Sequence, residues 1–458
     1  MGRSLQRRIG ALAVCLLAFV ACDDAAPRGT IAARLAEIPH PDLVLIVVDT
    51  LRADRTTPYG EARPTTPELE AWAQRGVVFE KVLAQSSWTK ISMASLMTSL
   101  WPTSHAIQLP DDGLSERALT LAEQLQDSGY ATYGVQTNGW LHQSFGFHQG
   151  FDRYLFPKGA DGQQRADHSS LWPHADRVVT EAERLLTERD PERPIFLYLH
   201  FMDVHEYAAP PEFKSFGTGA EADYVASIRW VDDAVRRVRV AVERGARGQE
   251  TVMVLGSDHG ETFGEHGVHG HARNVFSAVL EVPLVWRLPF ATEPVRVATR
   301  VRNLDVAPTL LEMAGVPVPE AFAGESLLPL MTDATDEARR DRPSAAALGF
   351  PLFPDAAIQE SFHRGAWVYA RNAPAVPPES PDAYRNEADA PGAEYLFDRR
   401  VDPGENLNLA EREPEQRDAL RAGFADHQRT HQAQDVRAED VRIDPAIAER
   451  LRAMGYLR

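Results

Sequence analysis

The chain has 458 residues, 44% of them hydrophobic and 25% charged, with only two cysteines. That composition excludes a disordered, collagenous or disulfide-stapled protein and fits one large domain with a smaller companion, or two to three domains. The formal net charge of -18 has the wrong sign for gripping nucleic-acid phosphate over a broad face, so no nucleic-acid partner is expected.

Both cysteines, Cys15 and Cys22, lie at the N-terminus, so no later disulfide, Cys-rich zinc site or thiol nucleophile can form. Arg3, Arg7 and Arg8 precede an apolar run from Ile9 to Ala21. A basic start followed by ~13 apolar residues, too few to span a bilayer as a helix, reads as a secretory leader over residues 1–21. Cys22 stands where bacterial lipoproteins are cut and acylated, which predicts a lipid anchor there and a polar linker over 22–40. An ordinary cleaved signal peptide is the alternative. Two acyl chains suffice for stable membrane attachment. The remainder is therefore expected to be exported and to face the periplasm or cell exterior, tethered to the membrane.

DLVLIVVDT (42–50) is a continuous apolar run ending at an acid, as expected of a buried parallel strand whose C-terminal end opens onto a site. Helical patterns follow at 67–76, 119–129, 176–188 and 224–245. Further strands are predicted at 131–138, 194–201, 251–259 and 282–288. Alternating strands and helices give an α/β fold class: a large catalytic domain over 41–331 with a mostly parallel central sheet between helices. After Met331 the pattern weakens to a hairpin over 358–372, a proline-rich loop, a strand at 394–398 and a charged helical tail. These form a small C-terminal α+β subdomain over 332–458. There is no internal repeat.

Asp49, Asp258 and His259 stand at the ends of two such strands. A carboxylate there is costly unless it is paired or bound to a cation. One such site could be a satisfied core network, but two independent strand-end acids point to a metal centre. Oxygen ligands with one imidazole suit a divalent ion and leave calcium, magnesium, manganese and zinc open. SSWTKISMASLMTS (86–99) places hydroxyls before a helix; Thr89 there reads as an N-cap or, beside a metal, as a nucleophile with a lowered hydroxyl pKa. Lys90 adds a positive charge next to it, or is simply exposed. His205 and His271, on loops after two strands, suit contacts to oxyanion oxygens or protonation of a leaving group. Asp203 with His205 and His271 could instead hold a second metal. His266 and His269 have weaker claims.

With these residues assembled, the chain resembles the sulfatase family of the alkaline phosphatase superfamily. LVLIVVDTLRAD (43–54), the 66–89 stretch, ASLMTS with WPTSHAI (94–107), FGFHQGFDRY (145–154), LHFMDVHEYAAPP (199–211), GSDHGETFGEHGVHGH (256–271), LEVPLVW (280–286), NLDVAPTLLEMAGVPVP (303–319) and YLFDRRVDPGENLNLA (395–410) follow in that family's order. The resemblance implies that Asp49, Asp258, His259 and Thr89 bind a divalent metal, that position 89 holds the nucleophile, and that His205 and His271 flank the bound sulfate or phosphate.

Two departures stand out. Sulfatases usually carry Cys-x-Pro-x-Arg at the nucleophile, the cysteine being converted to formylglycine, whereas this chain reads Thr89-Lys90-Ile91-Ser92-Met93. No formylglycine can form from threonine. Thr50 occupies the place where many sulfatases have a second Asp. The expected activity is metal-dependent hydrolysis of a sulfate or phosphate ester on a small molecule, glycan or lipid. A phosphoethanolamine- or phosphoglycerol-type transferase outside the cytoplasm is the alternative. A non-catalytic binding protein on the same fold is disfavoured, because decay would not be expected to spare the whole set of site residues.

Overall fold

The computed structural model describes residues 25–157, 175–337, 342–348, 359–372, 392–432, 436, 438–443 and 445–453. The leader over 1–21 and Cys22 lie outside the described residues.

The strands of the central sheet are, in chain order, β1 (Asp42–Val48), β2 (Val77–Phe79), β3 (Ala131–Val135), β4 (Arg153–Leu155), β5 (Ile195–Phe201), β6 (Thr251–Gly256), β7 (Leu284–Arg287) and β8 (Val295–Val297). Their spatial order is β8-β2-β7-β6-β1-β5-β3-β4. β1 runs parallel to both neighbours, β5 and β6. The strands β3 and β4 extend the parallel run beyond β5. β7 is the exception, lying antiparallel to β6 and β2. The sheet is mostly parallel, as expected.

Every residue of β1 is buried, which is why its sequence shows no polar alternation. Leu43, Leu45 and Val47 enter a core on one face with Trp88, Ile91 and Leu310. Val44, Ile46 and Val48 enter a second core on the other face with Val178, Val231 and Val235. Alternate side chains of one strand thus feed two layers of helices. The principal helices are α1 (Pro67–Ala73), α2 (Thr89–Thr98), α3 (Leu121–Asp127), α4 (Ala175–Glu188), α5 (Ala220–Arg244), α6 (Val306–Met313) and α7 (Pro414–Thr430). α2 is buried at all ten positions, so its first turn is held on every side. α3 begins on a capping box in which Thr120 and Glu123 satisfy each other's backbone N–H groups.

A second, antiparallel sheet comprises β9 (Ser344–Leu348), β10 (Gln359–Arg364), β11 (Trp367–Asn372) and β12 (Glu394–Asp398) in that order. Leu420 and Phe424 of α7 pack on Phe362, Tyr369 and Leu396 of this sheet. The same cluster includes Trp101 and Leu304, so the small sheet is keyed into the large layered unit. Among the described residues no helix is long and apolar enough to cross a membrane.

Candidate active site

The C-terminal ends of β1 and β6 deliver Asp49, Asp258 and His259 to one point, where one ligand atom from each lies within 4.8 Å of the others. All three side chains are fully buried. The two carboxylates are anchored in the same way. Asp49 Oδ2 accepts from Asn138 Nδ2 at 2.7 Å and contacts His200 Nε2 at 2.9 Å, while its Oδ1 accepts no hydrogen bond. Asp258 Oδ1 accepts from the backbone N–H of His259 at 3.0 Å and of Thr50 at 3.3 Å, while its Oδ2 accepts none. Each acid therefore keeps one oxygen tied down and one buried oxygen open.

The open oxygens face the same imidazole. His259 Nε2 lies 3.3 Å from Asp258 Oδ2 and 3.9 Å from Asp49 Oδ1. Its Nδ1 is 3.0 Å from the Gly260 carbonyl, a contact that requires Nδ1–H and leaves the Nε2 lone pair for a ligand. Burial raises the pKa of Asp49, but the hydrogen bond from His200 and the nearby imidazoles of His205, His200 and His259 override it and hold the group well below the usual carboxylate range. Asp258 is pushed up, by burial first and by the Asp49 charge second. Two buried, open carboxylate oxygens beside an imidazole lone pair fit a hard or borderline divalent cation. Asp49, Asp258 and His259 form a candidate site for that ion.

Thr89 is the first residue of α2 and is buried. The helix has Trp88 as its N-cap residue, with no side-chain cap, so Thr89 is not spent as a capping group. Its Oγ1 lies 3.2 Å from His259 Nε2 and accepts from Asn138 Nδ2 at 3.3 Å. The hydroxyl thus joins the acid and imidazole cluster at a helix N-terminus, where the backbone favours negative charge.

Three imidazoles lead away from the cluster. The His259 ring stacks on His271 with centroids 4.7 Å apart, and His271 meets His205 edge-on, also at 4.7 Å. Glu261 Oε2 lies 3.3 Å from His271 Nδ1, and Glu206 Oε1 lies 2.9 Å from His205 Nδ1. Burial pushes the pKa of His271 down despite Glu261. Burial also opposes the charge on His205, but Glu206, Asp49 and Glu261 prevail and raise it to about 9. The row therefore ends in an imidazolium at neutral pH.

The structure gives Asp203 and Lys90 contacts of another kind. Asp203 Oδ1 accepts from the backbone N–H of Ala175 at 3.0 Å and from Trp230 Nε1 at 2.9 Å, tying it to α4 and α5. The structure brings His205 and His271 together, while this Asp203 oxygen serves packing. Lys90 is fully buried; its Nζ donates to the Pro110 carbonyl at 2.8 Å and lies 3.7 Å from the centroid of the Phe145 ring. Burial drives its pKa well below the usual lysine range. His266 stacks on Phe276 at 4.2 Å, and His269 lies in a short pairing with Phe263.

Thr50 takes a left-handed backbone conformation (φ 59°), and its Oγ1 donates to the Asp49 carbonyl at 2.7 Å. Its hydroxyl is thereby folded back onto the chain. Sequence reasoning missed Asn138, although it ends a predicted strand at the same sheet edge. It also assigned no role to His200, whose Nδ1 contacts the Tyr198 hydroxyl at 2.9 Å.

A sequence model of the family described as Sulfatase matches residues 41–316, more than half of the chain. The chain is 24% identical over 388 residues to an arylsulfatase of Clostridium perfringens, covering 64% of this chain and 79% of that protein. It is 24% identical over 450 residues to human arylsulfatase A, covering 84% and 87%. A solved structure of a protein in complex with its substrate D-glucosamine-2-N,6-O-disulfate superposes with a TM-score of 0.67 at 16% identity, covering 87% of this chain and 99% of that one. The layered sheet, its acid-lined edge and these matches lead to one conclusion: the chain belongs to the sulfatase family of the alkaline phosphatase superfamily, hydrolases that act on sulfate ester bonds.

Proposed function

We propose that this chain hydrolyses a sulfate ester with Thr89, not formylglycine, as the nucleophile. The observation that carries the reading is the position of Thr89 Oγ1: buried at the start of α2 and 3.2 Å from His259 Nε2, beside the open oxygens of Asp49 and Asp258. Asp49, Asp258, His259 and the Thr89 hydroxyl would hold a divalent ion, which when bound supplies the charge that lowers a hydroxyl pKa and steadies an anionic ester.

The chemistry then divides into two displacements at sulfur. In the first, Thr89 Oγ1, its proton already lost to solvent, attacks the sulfur, the bond to the substrate oxygen breaks, and the departing oxygen takes a proton from the His205 imidazolium, which is left neutral. In the second, water gives one proton to the neutral His205 and attacks the sulfur of the threonine ester, the Thr89 Oγ1–sulfur bond breaks, and Oγ1 takes the remaining proton as sulfate leaves. A formylglycine hydrate escapes its ester by collapsing to the aldehyde. Threonine has no such route, so its ester must be cleaved at sulfur.

The substrate class is a sulfated sugar or small molecule. Relatives bearing the names ulvan-active sulfatase and N-acetylgalactosamine-6-O-sulfatase support this reading. The basic start, the apolar run over 9–21 and Cys22 behind it support the reading that this work is done outside the cytoplasmic membrane, on a lipid tether.

The test is turnover of aryl sulfate, aryl phosphate monoester and phosphodiester by the wild type and Thr89→Ala, each with calcium, magnesium, manganese and zinc. The wild type should favour the sulfate ester, and Thr89→Ala should lose turnover while still binding metal. Undiminished turnover by Thr89→Ala would contradict the proposal.

A further inference from the structure

Asn138 lies in the turn that follows β3, 1% exposed, and every polar atom of its side chain is engaged at or beside the site. Its Oδ1 accepts the backbone N–H of Trp140 at 2.9 Å. That bond fixes which end of the amide is oxygen and turns Nδ2 towards the cluster. Nδ2 donates to Asp49 Oδ2 at 2.7 Å, and it also lies 3.3 Å from Thr89 Oγ1 and 3.3 Å from Met202 Sδ. The Trp140 ring packs edge-on against Trp88, centroids 5.2 Å apart, directly before Thr89. The turn bearing Asn138 and the start of α2 are therefore held against each other, and the Nδ2-to-Oγ1 geometry is built in before substrate arrives.

We propose that Asn138 is a catalytic residue whose Nδ2 donates to Thr89 Oγ1 and stabilises the charge on that oxygen in both displacements. This rests on the reading of Thr89 as nucleophile. In the first displacement Oγ1, its proton already lost, carries charge as it attacks. In the second, Oγ1 is the leaving oxygen and charge returns to it as its bond to sulfur breaks. Between the two, Oγ1 is a bridging ester oxygen with little charge and is a poor acceptor. A donor fixed at this point interacts more strongly with both transition states than with the esterified intermediate, which is the condition for raising the rate and not merely the affinity. Nδ2 also draws on Asp49 Oδ2, leaving Asp49 Oδ1 to the metal; the test must separate these two roles.

Asn138→Ala removes the donor. The near-isosteric Asn138→Leu keeps the side-chain volume, brings no charge beside Asp49 and presents no amide donor to Oγ1, so it serves as the folded reference if the alanine variant does not fold. Both are compared with wild type and Thr89→Ala on an aryl sulfate, at saturating concentrations of the ion that best supports wild-type turnover. Loss of one such donor is expected to lower kcat about 100-fold with little change in KM. Rapid quenching and mass spectrometry should find a sulfated Thr89 peptide that forms and decays more slowly than in the wild type. Wild-type kcat in both variants overturns the proposal. So does recovery of wild-type kcat on adding excess metal, which would reduce Asn138 to a support for Asp49. Normal turnover by Thr89→Ala would remove the nucleophile reading itself; inactivity of Thr89→Ala beside wild-type Asn138 variants would remove only the Asn138 role.

Discussion

Thr89 Oγ1 and His259 Nε2 lie 3.2 Å apart, although 170 positions separate them in the chain. The contact joins the first turn of a fully buried helix to the buried loop after a central strand. A hydroxyl and an imidazole lone pair held together beside two open carboxylate oxygens carry a cost that a cation would offset. This relationship underlies the first prediction.

A divalent ion that binds the folded chain should raise Tm, because at 100 times its Kd a ligand adds about 2.7 kcal/mol of stability. Asp49→Asn and Asp258→Asn each remove one charge from the site and should abolish most of that shift. Differential scanning calorimetry with and without metal, before and after chelation, checks this. An equal Tm shift in either variant would mean that the ion binds elsewhere.

Asp203 provides the second prediction. Since its Oδ1 accepts from Trp230 Nε1 and the Ala175 backbone, Asp203→Asn should lower stability by about 1–3 kcal/mol through a weakened buried hydrogen-bond set. Metal content should stay at one equivalent per chain. Elemental analysis showing two equivalents in the wild type, and one in the variant, would restore a two-metal site.

His205 sets the pH dependence. It faces Glu206, Asp49, Glu261 and the His271 ring, and although burial works against it these acids raise its pKa to about 9 from 6.5. Folding therefore favours the protonated ring. Its contribution to stability is fully present below about pH 6.5 and is lost as pH rises through about 9. Glu206→Gln should move the titration to lower pH, as followed by NMR of the His205 ring in the metal-free protein. An unmoved titration would show that Glu206 does not hold the charge.

Lys90 should matter little to chemistry. Lys90→Met loses the bond to the Pro110 carbonyl and is expected to cost about 1 kcal/mol. It should leave kcat/KM within about threefold, since the amine touches no reacting atom. A large fall in kcat with an unchanged Tm would return Lys90 to the site.

The strand-end acids were legible because a carboxylate at the end of an unbroken apolar run has few explanations. Thr89 was legible only jointly with them, since a hydroxyl before a helix is ordinarily a cap. His200 was not, because its contact with Asp49 depends on the register that sets it beside Val47 of β1. Asn138 was hidden for a similar reason: asparagine at a strand end is a common turn residue, and only the folded turn aims its amide. The three-residue strands β2, β4 and β8 are too short to show a period, and the antiparallel direction of β7 comes from tertiary pairing. The burial of Lys90 was not legible because the aromatic rings that enclose it, Phe145 and Trp140, come from a distant segment.

The central claim is that Thr89 forms a covalent ester during turnover. The most direct test is to mix the metal-loaded enzyme with an aryl sulfate, quench within the first turnover in acid, and map the modified peptide by mass spectrometry. A sulfated Thr89 that appears before steady state and disappears at the turnover rate is the predicted result. Turnover with an unmodified Thr89 at every time point, or with the sulfuryl group on another residue, would contradict the account.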